Sequence, residues 1–235
     1  MRSIWRTLDR GTLRAITLVC LADAIVGASF GAITVSGGMS LWVPIAMSLL
    51  VFAGGSQFAA VGVVLAGGGP IAAVAAGLVL NARLLPFGFA IIDVLDGRWW
   101  TRLMGAHVMT DESVAFALGQ RERQRRRDAF WTCGIALFVS WNLAVVVGAL
   151  AAGAIGDTNA FGLDAAFPVV LLALVLPSLA DRGTRNAALL GATVAVAATP
   201  FLPPGLPVLL ALVGLALAGR SATTATGTDL VQEAR

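Results

Sequence analysis

Between Ala15 and Ile92 the chain carries only two charged side chains, Asp23 and Arg83. A stretch so poor in charge cannot dress itself in a water-binding surface, whereas a bilayer accepts helices of about 20 apolar residues whose backbone bonds are all internal. The rest of the chain follows the same pattern. It is 58% hydrophobic and 12% charged, with a mean hydropathy of +0.87, against about 25% charged residues in an ordinary soluble domain. The expected fold class is therefore an all-α, polytopic integral membrane helix bundle of about seven to eight transmembrane segments, some of them discontinuous. Residues 1–14 read as a basic cytoplasmic N-terminus, 15–219 as a single transmembrane transport domain, and 220–235 as a disordered cytoplasmic tail.

All the positive charge is arginine, since the chain has no lysine, and the net charge is +3. The arginines gather in short loops, which is the signature of membrane orientation rather than of nucleic-acid binding. Cys20 and Cys133 fall in apolar runs, where they read as small hydrophobes, and no metal site or disulfide framework follows from them.

The first apolar run, 15–35, follows four arginines and holds Asp23 and the small residues Gly27, Ala28, Ser29 and Gly31. These suit close helix packing or a substrate path, and both readings stand. A second run, 41–66, is interrupted by Gly54, Gly55, Ser56 and Gln57. A broken helix lining a cavity and a kinked helix packed on a neighbour are equally compatible with that break. The third run, 70–92, has Asn81 and Arg83 at its centre and Pro86 just beyond. An arginine at membrane depth costs about 2.5–3.5 kcal/mol unless a partner or a water-filled cavity compensates it. For Arg83, substrate lining competes with a structural ion pair to a carboxylate on another span.

Segment 99–119 contains Arg102, His107, Asp111 and Glu112, too polar for hydropathy to place. The loop Arg-Glu-Arg-Gln-Arg-Arg-Arg at 121–127 is strongly basic, as is the N-terminus, so an even number of crossings separates them. With three runs before it, 99–119 is expected to cross as the fourth, against the alternative of a solvated connecting helix. Further runs follow at 130–153, 165–180, 187–202 and 206–218, with both termini cytoplasmic. Leu85-Pro86-Phe87-Gly88 faintly echoes Leu202-Pro203-Pro204-Gly205, an echo that chance explains.

His107 is the only histidine, and the chain has no nucleotide loop, HExxH helix or GxSxG elbow. No catalytic residue, metal ligand or cofactor is assigned, and the chain is not expected to be an enzyme. A small zwitterion fits the polar set better. Its carboxylate needs donors such as Arg83 or exposed helix N-termini, while Ser56, Gln57 and Asn81 offer oriented hydrogen bonds.

Five patches in order, GASFG at 27–31, MSLLVFAGGSQFAAVG at 47–62, NARLLPFG at 81–88, TDES at 110–113 and LDAAFP at 163–168, resemble the AzlC family of branched-chain amino acid permeases. The resemblance implies the large subunit of a bacterial inner-membrane exporter for leucine, isoleucine, valine and sometimes methionine, working with a small AzlD-type membrane subunit. The family's patterns map onto Ala53, Gly54 and Gln57, onto Asn81 and Arg83, and onto Thr110, Asp111 and Glu112; together with the polar break itself, the candidate substrate-binding residues are Gly54, Gly55, Ser56, Gln57, Asn81 and Arg83. Export by a secondary carrier needs a driving ion. For protons the candidate relays are Asp23, His107, Asp111 and Glu112, although Asp111 or Glu112 could equally serve only to neutralise Arg83. A membrane-embedded enzyme and a non-transport membrane subunit remain the alternatives.

Overall fold

The computed structural model describes residues 8–155 and 176–202, together with Pro207, Leu210 and Ala211. The LDAAFP patch, residues 165–175 of the 165–180 run, all of 206–218 but Pro207, Leu210 and Ala211, Pro203-Pro204-Gly205 and the 220–235 tail lie outside the described residues. Every regular element among the described residues is helical. We number them α1 (Arg10–Ser36), α2 (Trp42–Leu50), α3 (Gly54–Leu65), α4 (Pro70–Asn81), α5 (Leu84–Ala90), α6 (Trp99–His107), α7 (Asp111–Leu118), α8 (Arg123–Ile155) and α9 (Arg182–Ala198), with a 3-10 turn at Leu176–Ala180 before α9. Among the described residues, three stretches are long and apolar enough to cross a membrane: Arg10–Ser36, Pro70–Ala90 and Arg123–Ala152. The chain is a multi-pass membrane protein.

Contacts divide it into two compact units. One holds residues 1–58 and 78–167, the other 59–77 and 168–235. In the second, Val63 packs on Ala73 and Ala76 where α3 and α4 run side by side, and Gly191 of α9 abuts the Ala211 backbone. The first unit holds every candidate site residue.

Its axis is the pair α1 and α8. Asp9 starts α1 by accepting from the Thr12 amide at 3.1 Å and the Thr12 hydroxyl at 2.6 Å. Those bonds hold its carboxyl below the ordinary carboxylate range. Farther along, Gly27 lies against Trp141, Gly31 against the Val145 backbone, and Gly148 against the Ala28 backbone. The numbering rises together in both helices, so α1 and α8 run parallel. A Cβ on Gly31 or Gly148 would overlap the partner's main chain. Small residues here let two backbones touch, which is how helices associate when lipid supplies no hydrophobic drive. For Gly27 and Gly31, the packing reading of the small-residue stretch is the one the contacts support.

The run 41–66 is not one rod. Its α2 descends alongside α8 in the opposite direction: the Ser48 hydroxyl donates to Asn142 Oδ1 at 2.7 Å, and Phe52 meets Phe138 with ring centroids 5.0 Å apart. At Phe52 the backbone takes φ +42°, a left-handed conformation uncommon outside glycine. The chain then turns back, since Gly54 touches Trp141 and Phe58 packs edge-on to Phe30 at 5.2 Å. The break expected at 54–57 thus falls at 51–53, and the Gly-Gly-Ser-Gln sequence forms the first turn of α3.

α4 and α5 form a second interrupted helix, with Ala82 and Arg83 between them. Its C-terminal end is held to α8 by a clasp, where Arg126 donates to the Ala90 carbonyl at 3.1 Å and pairs with Asp93 at 3.2 Å. Arg123 completes the clasp by pairing with Asp96 at 2.9 Å.

Segment 99–119 therefore begins beside the N-terminal end of α8, and it also ends there. Between those points α6 climbs along α8, with Gly105 near Trp131 and the Gly134 position near Val108, and α7 returns until Ala117 joins Phe130 in one apolar cluster. The expected fourth crossing is instead a hairpin. Its arms, of 9 and 8 residues, are each about 12–14 Å long, too short to cross a core of about 30 Å. At its tip Thr110 caps α7: its hydroxyl accepts from the Ser113 amide at 3.2 Å, and its amide donates to Ser113 Oγ at 2.9 Å.

Candidate functional site

Three helix interruptions, at 51–53, 82–83 and 108–110, meet at one level of the first unit. Irregular backbone at membrane depth is tolerated only where protein or a cavity satisfies its polar groups. The partners here are mutual. The Ser56 hydroxyl, in the first turn of α3, donates to Asn81 Oδ1 at the end of α4 at 2.7 Å. Arg83 sits in the next interruption, and its Nη1 pairs with Asp111 Oδ2, the first residue of α7, at 3.0 Å. A Cβ placed on Gly55 would lie 3.8 Å from Arg83 Nη2, so the glycine leaves the guanidinium room against the start of α3.

The structure thus brings Gly55, Ser56, Asn81, Arg83 and Asp111 into one constellation built from three separate elements. The ion pair is open: the Arg83 side chain is 58% exposed and that of Asp111 40%. A pair this exposed contributes little to stability, yet its charges remain accessible to a ligand. At the start of α3 the first backbone bond runs from the Gln57 amide to the Ala53 carbonyl at 2.9 Å, leaving the Gly54, Gly55 and Ser56 amides as the open donors of a helix N-terminus. Such a terminus carries partial positive charge.

Gln57 faces the other way. It lies one turn after Gly54, on the face that meets Trp141. It is fully buried, and neither its side-chain oxygen nor its nitrogen has a hydrogen-bond partner among the described residues; the same holds for Trp141 Nε1. Gln57 is therefore behind the Arg83–Asp111 constellation rather than within it.

Beside Asn81 lies an apolar pocket of about 310 Å³, walled by Leu84, Leu85, Gly88, Phe89, Ile92 and Met109. Asn81 is its one polar liner, and it is the residue that ties the pocket to Ser56. Asn81 thus gives one polar group to an otherwise aliphatic and aromatic recess, while Arg83 and Asp111 are not among its liners.

The four proposed relays are dispersed. Asp111 is in the ion pair. Asp23, on α1, lies within electrostatic reach of Glu112 on α7. His107 ends α6 among aromatic rings, 6.2 Å from Phe52 and 5.5 Å from Phe138 between centroids. Sequence reading did not single out Ser48, Phe52 or Phe138, whose partners lie far along the chain. Asn142 lies near the middle of the apolar run 130–153. A polar residue at the middle of an apolar helix was the available signal for it, and its amide donates to the Phe138 carbonyl at 2.8 Å while accepting from Ser48.

Compared with known proteins, residues 18–155, more than half of the chain, match the family described as AzlC protein. The chain belongs to the AzlC family. The match runs from residue 18, within α1, to the end of α8, and so covers the whole first-unit constellation. A membrane protein of Helicobacter pylori strain ATCC 700392 / 26695, described as uncharacterized, is 24% identical over 202 residues, covering 85% of this chain and 88% of the relative. A Bacillus subtilis strain 168 relative, named branched-chain amino acid transport protein AzlC, is 26% identical over 197 residues, covering 81% of this chain and 76% of the relative. No solved structure matches this AzlC-family chain.

Proposed function

We propose that this chain is the large subunit of a secondary transporter that exports leucine, isoleucine and valine, and methionine as a further substrate, across a bacterial inner membrane. The observation that carries the reading is the placement of Arg83 and Asp111, 3.0 Å apart and open, next to the apolar pocket reached through Asn81. An amino acid is a zwitterion with an aliphatic tail. Its carboxylate suits Arg83 and the open amides of Gly54, Gly55 and Ser56, and its ammonium suits Asp111. Its tail suits the walls of Leu84, Leu85, Phe89 and Ile92. Ligand binding then exchanges the Arg83–Asp111 pair for two charge-assisted contacts of similar kind, so neither charge is left bare. The name of the Bacillus subtilis relative supports the substrate class.

Gln57 backs this site, as one buried polar group on the α8 side of α3. Protons are the proposed driving ion, with Asp23, Glu112, Asp111 and His107 as the groups that carry them. A small AzlD-type membrane protein is the proposed partner. The proposed topology has both termini cytoplasmic, with α1, α4–α5 and α8 crossing before residue 156 and the remaining apolar runs crossing after it. The runs 41–66 and 99–119 are hairpins in this arrangement, so the crossings number fewer than the seven to eight first expected. Two crossings, α1 and α4–α5, then separate the two basic segments, which keeps that number even.

The test is efflux of preloaded labelled leucine and valine from cells making this chain, with and without the small partner, repeated after collapse of the proton gradient. Faster efflux that needs both the partner and the gradient is expected. Efflux equal to that of control cells in every condition, with the chain present in the membrane, overturns the reading.

A further inference from the structure

The hairpin α2–α3 and the hairpin α6–α7 are built to one plan. Each opens with a helix of 9 residues, breaks for three residues, and resumes in a second helix. Trp42–Leu50 corresponds to Trp99–His107, the break 51–53 to 108–110, and the restart at Gly54 to the restart at Asp111. The offset is the same throughout, 57 residues (99 less 42). At that one offset the sequences agree at Trp42 and Trp99, Met47 and Met104, Val51 and Val108, Ser56 and Ser113, Ala60 and Ala117, and Gly62 and Gly119. No gap is needed. A chance resemblance of two apolar stretches would not also place both helix ends and the break in register.

The two copies approach from opposite directions. Taking α8 as the ruler, α2 descends from the level of Asn142 to that of Phe138, while α6 ascends from Trp131 toward Phe138. The tips meet there: Phe52 of one and His107 of the other stand 6.2 Å apart, both against Phe138. After each hairpin comes a membrane-length stretch carrying an asparagine, Asn81 in α4–α5 and Asn142 in α8, the latter one turn from the tip level, and each asparagine accepts from a serine of the first hairpin. Within the first unit, residues 81–90 run antiparallel to α8, from Ser56 at the start of α3 to Arg126 near the start of α8, as copies inverted in a membrane must. Trp42 and Trp99, the entry residues of the two hairpins, are 68% and 60% exposed, which suits aromatic rings at the two membrane–water interfaces.

We infer that residues 42–62 and 99–119 are inverted copies of one re-entrant hairpin, which enter the membrane from opposite faces and meet tip to tip. Each hairpin then stands between the tip site and its own face of the membrane. The site itself lies on the pseudo-symmetry level, which explains why Gly55, Ser56 and Asp111, all first-turn residues of a second arm, share it. This deepens the transport reading by supplying one barrier per face, but the inverted placement does not depend on any substrate.

The test is sidedness. In a background carrying Cys20→Ala and Cys133→Ala, the single cysteines Ser40→Cys, Gly69→Cys, Arg98→Cys and Arg121→Cys are treated with a membrane-impermeant maleimide in intact cells and in inverted vesicles. All four native residues are exposed, and a Cβ on Gly69 meets nothing within 4 Å. Ser40→Cys and Gly69→Cys are expected to label from one face, and Arg98→Cys and Arg121→Cys from the other. Four complete crossings would give alternation, with positions 40 and 98 on one face and 69 and 121 on the other, and that pattern overturns the inference. Should a variant not reach the membrane, Ala66→Cys, in the connection before α4, and Trp100→Cys, in the first turn of α6, report the same two alternatives. Labelling as expected in a protein that moves no leucine would leave the inverted hairpins standing and remove the transport reading alone.

Discussion

Arg83 is the residue on which the chemistry turns, and its partner decides which of two roles it has. With Asp111 at 3.0 Å and both side chains more than a third uncovered by protein, the pair contributes about 0–1 kcal/mol to folding where water fills the space beside it. Arg83→Ala is therefore expected to leave thermal stability within that range while reducing leucine flux at least tenfold; a protein that fails to assemble would assign Arg83 a structural role instead. Gln57 makes the opposite case. A buried amide without partners carries a penalty of about 1–3 kcal/mol, so Gln57→Leu is expected to be neutral or stabilising in a denaturation series and still to lower transport. The charge rarity around Arg83 was plain in the sequence, as were Ser56 and Asn81. That Gln57 turns away from them was not legible, because adjacent residues of a helix face different neighbours and only the position of Trp141 decides which.

At the scale of elements, the hairpins depend on their caps and on close helix contact. Thr110→Ala removes the capping box at the start of α7 and is expected to cost about 0.5–2 kcal/mol, seen as faster amide exchange in that turn with α8 unaffected. Gly31→Leu and Gly148→Leu drive a side chain into the facing backbone and are expected to abolish membrane accumulation, whereas Gly69→Ala is tolerated. At the start of α1, Asp9 is bonded as the carboxylate and its pKa is lowered, so its contribution is complete above the ordinary carboxylate range. That contribution disappears as pH falls through the lowered value; amide exchange at Thr12 should rise only in that acid window. The interruption at 51–53 was legible as a break near glycines but not as a reversal. Two apolar arms joined end to end have the length and hydropathy of a single span, and only the left-handed Phe52 and its contacts show that the chain turns back.

For the whole molecule, composition alone was enough to read a helical membrane protein, because so few polar side chains leave no aqueous alternative. The even number of crossings between the two basic segments was also readable, but not which segments supply it: that information lies in tertiary contacts such as Arg123 with Asp96 and Arg126 with Asp93. The central claim is that a branched-chain amino acid binds where the hairpin tips meet Arg83. Equilibrium binding of labelled leucine to the purified protein, compared among wild type, Arg83→Ala and Leu85→Trp, tests it most directly. Saturable binding in the wild type, lost on removing the guanidinium and weakened at least tenfold when Leu85→Trp fills the apolar recess, is the expected result. Leucine binding unchanged in both folded variants would contradict the account.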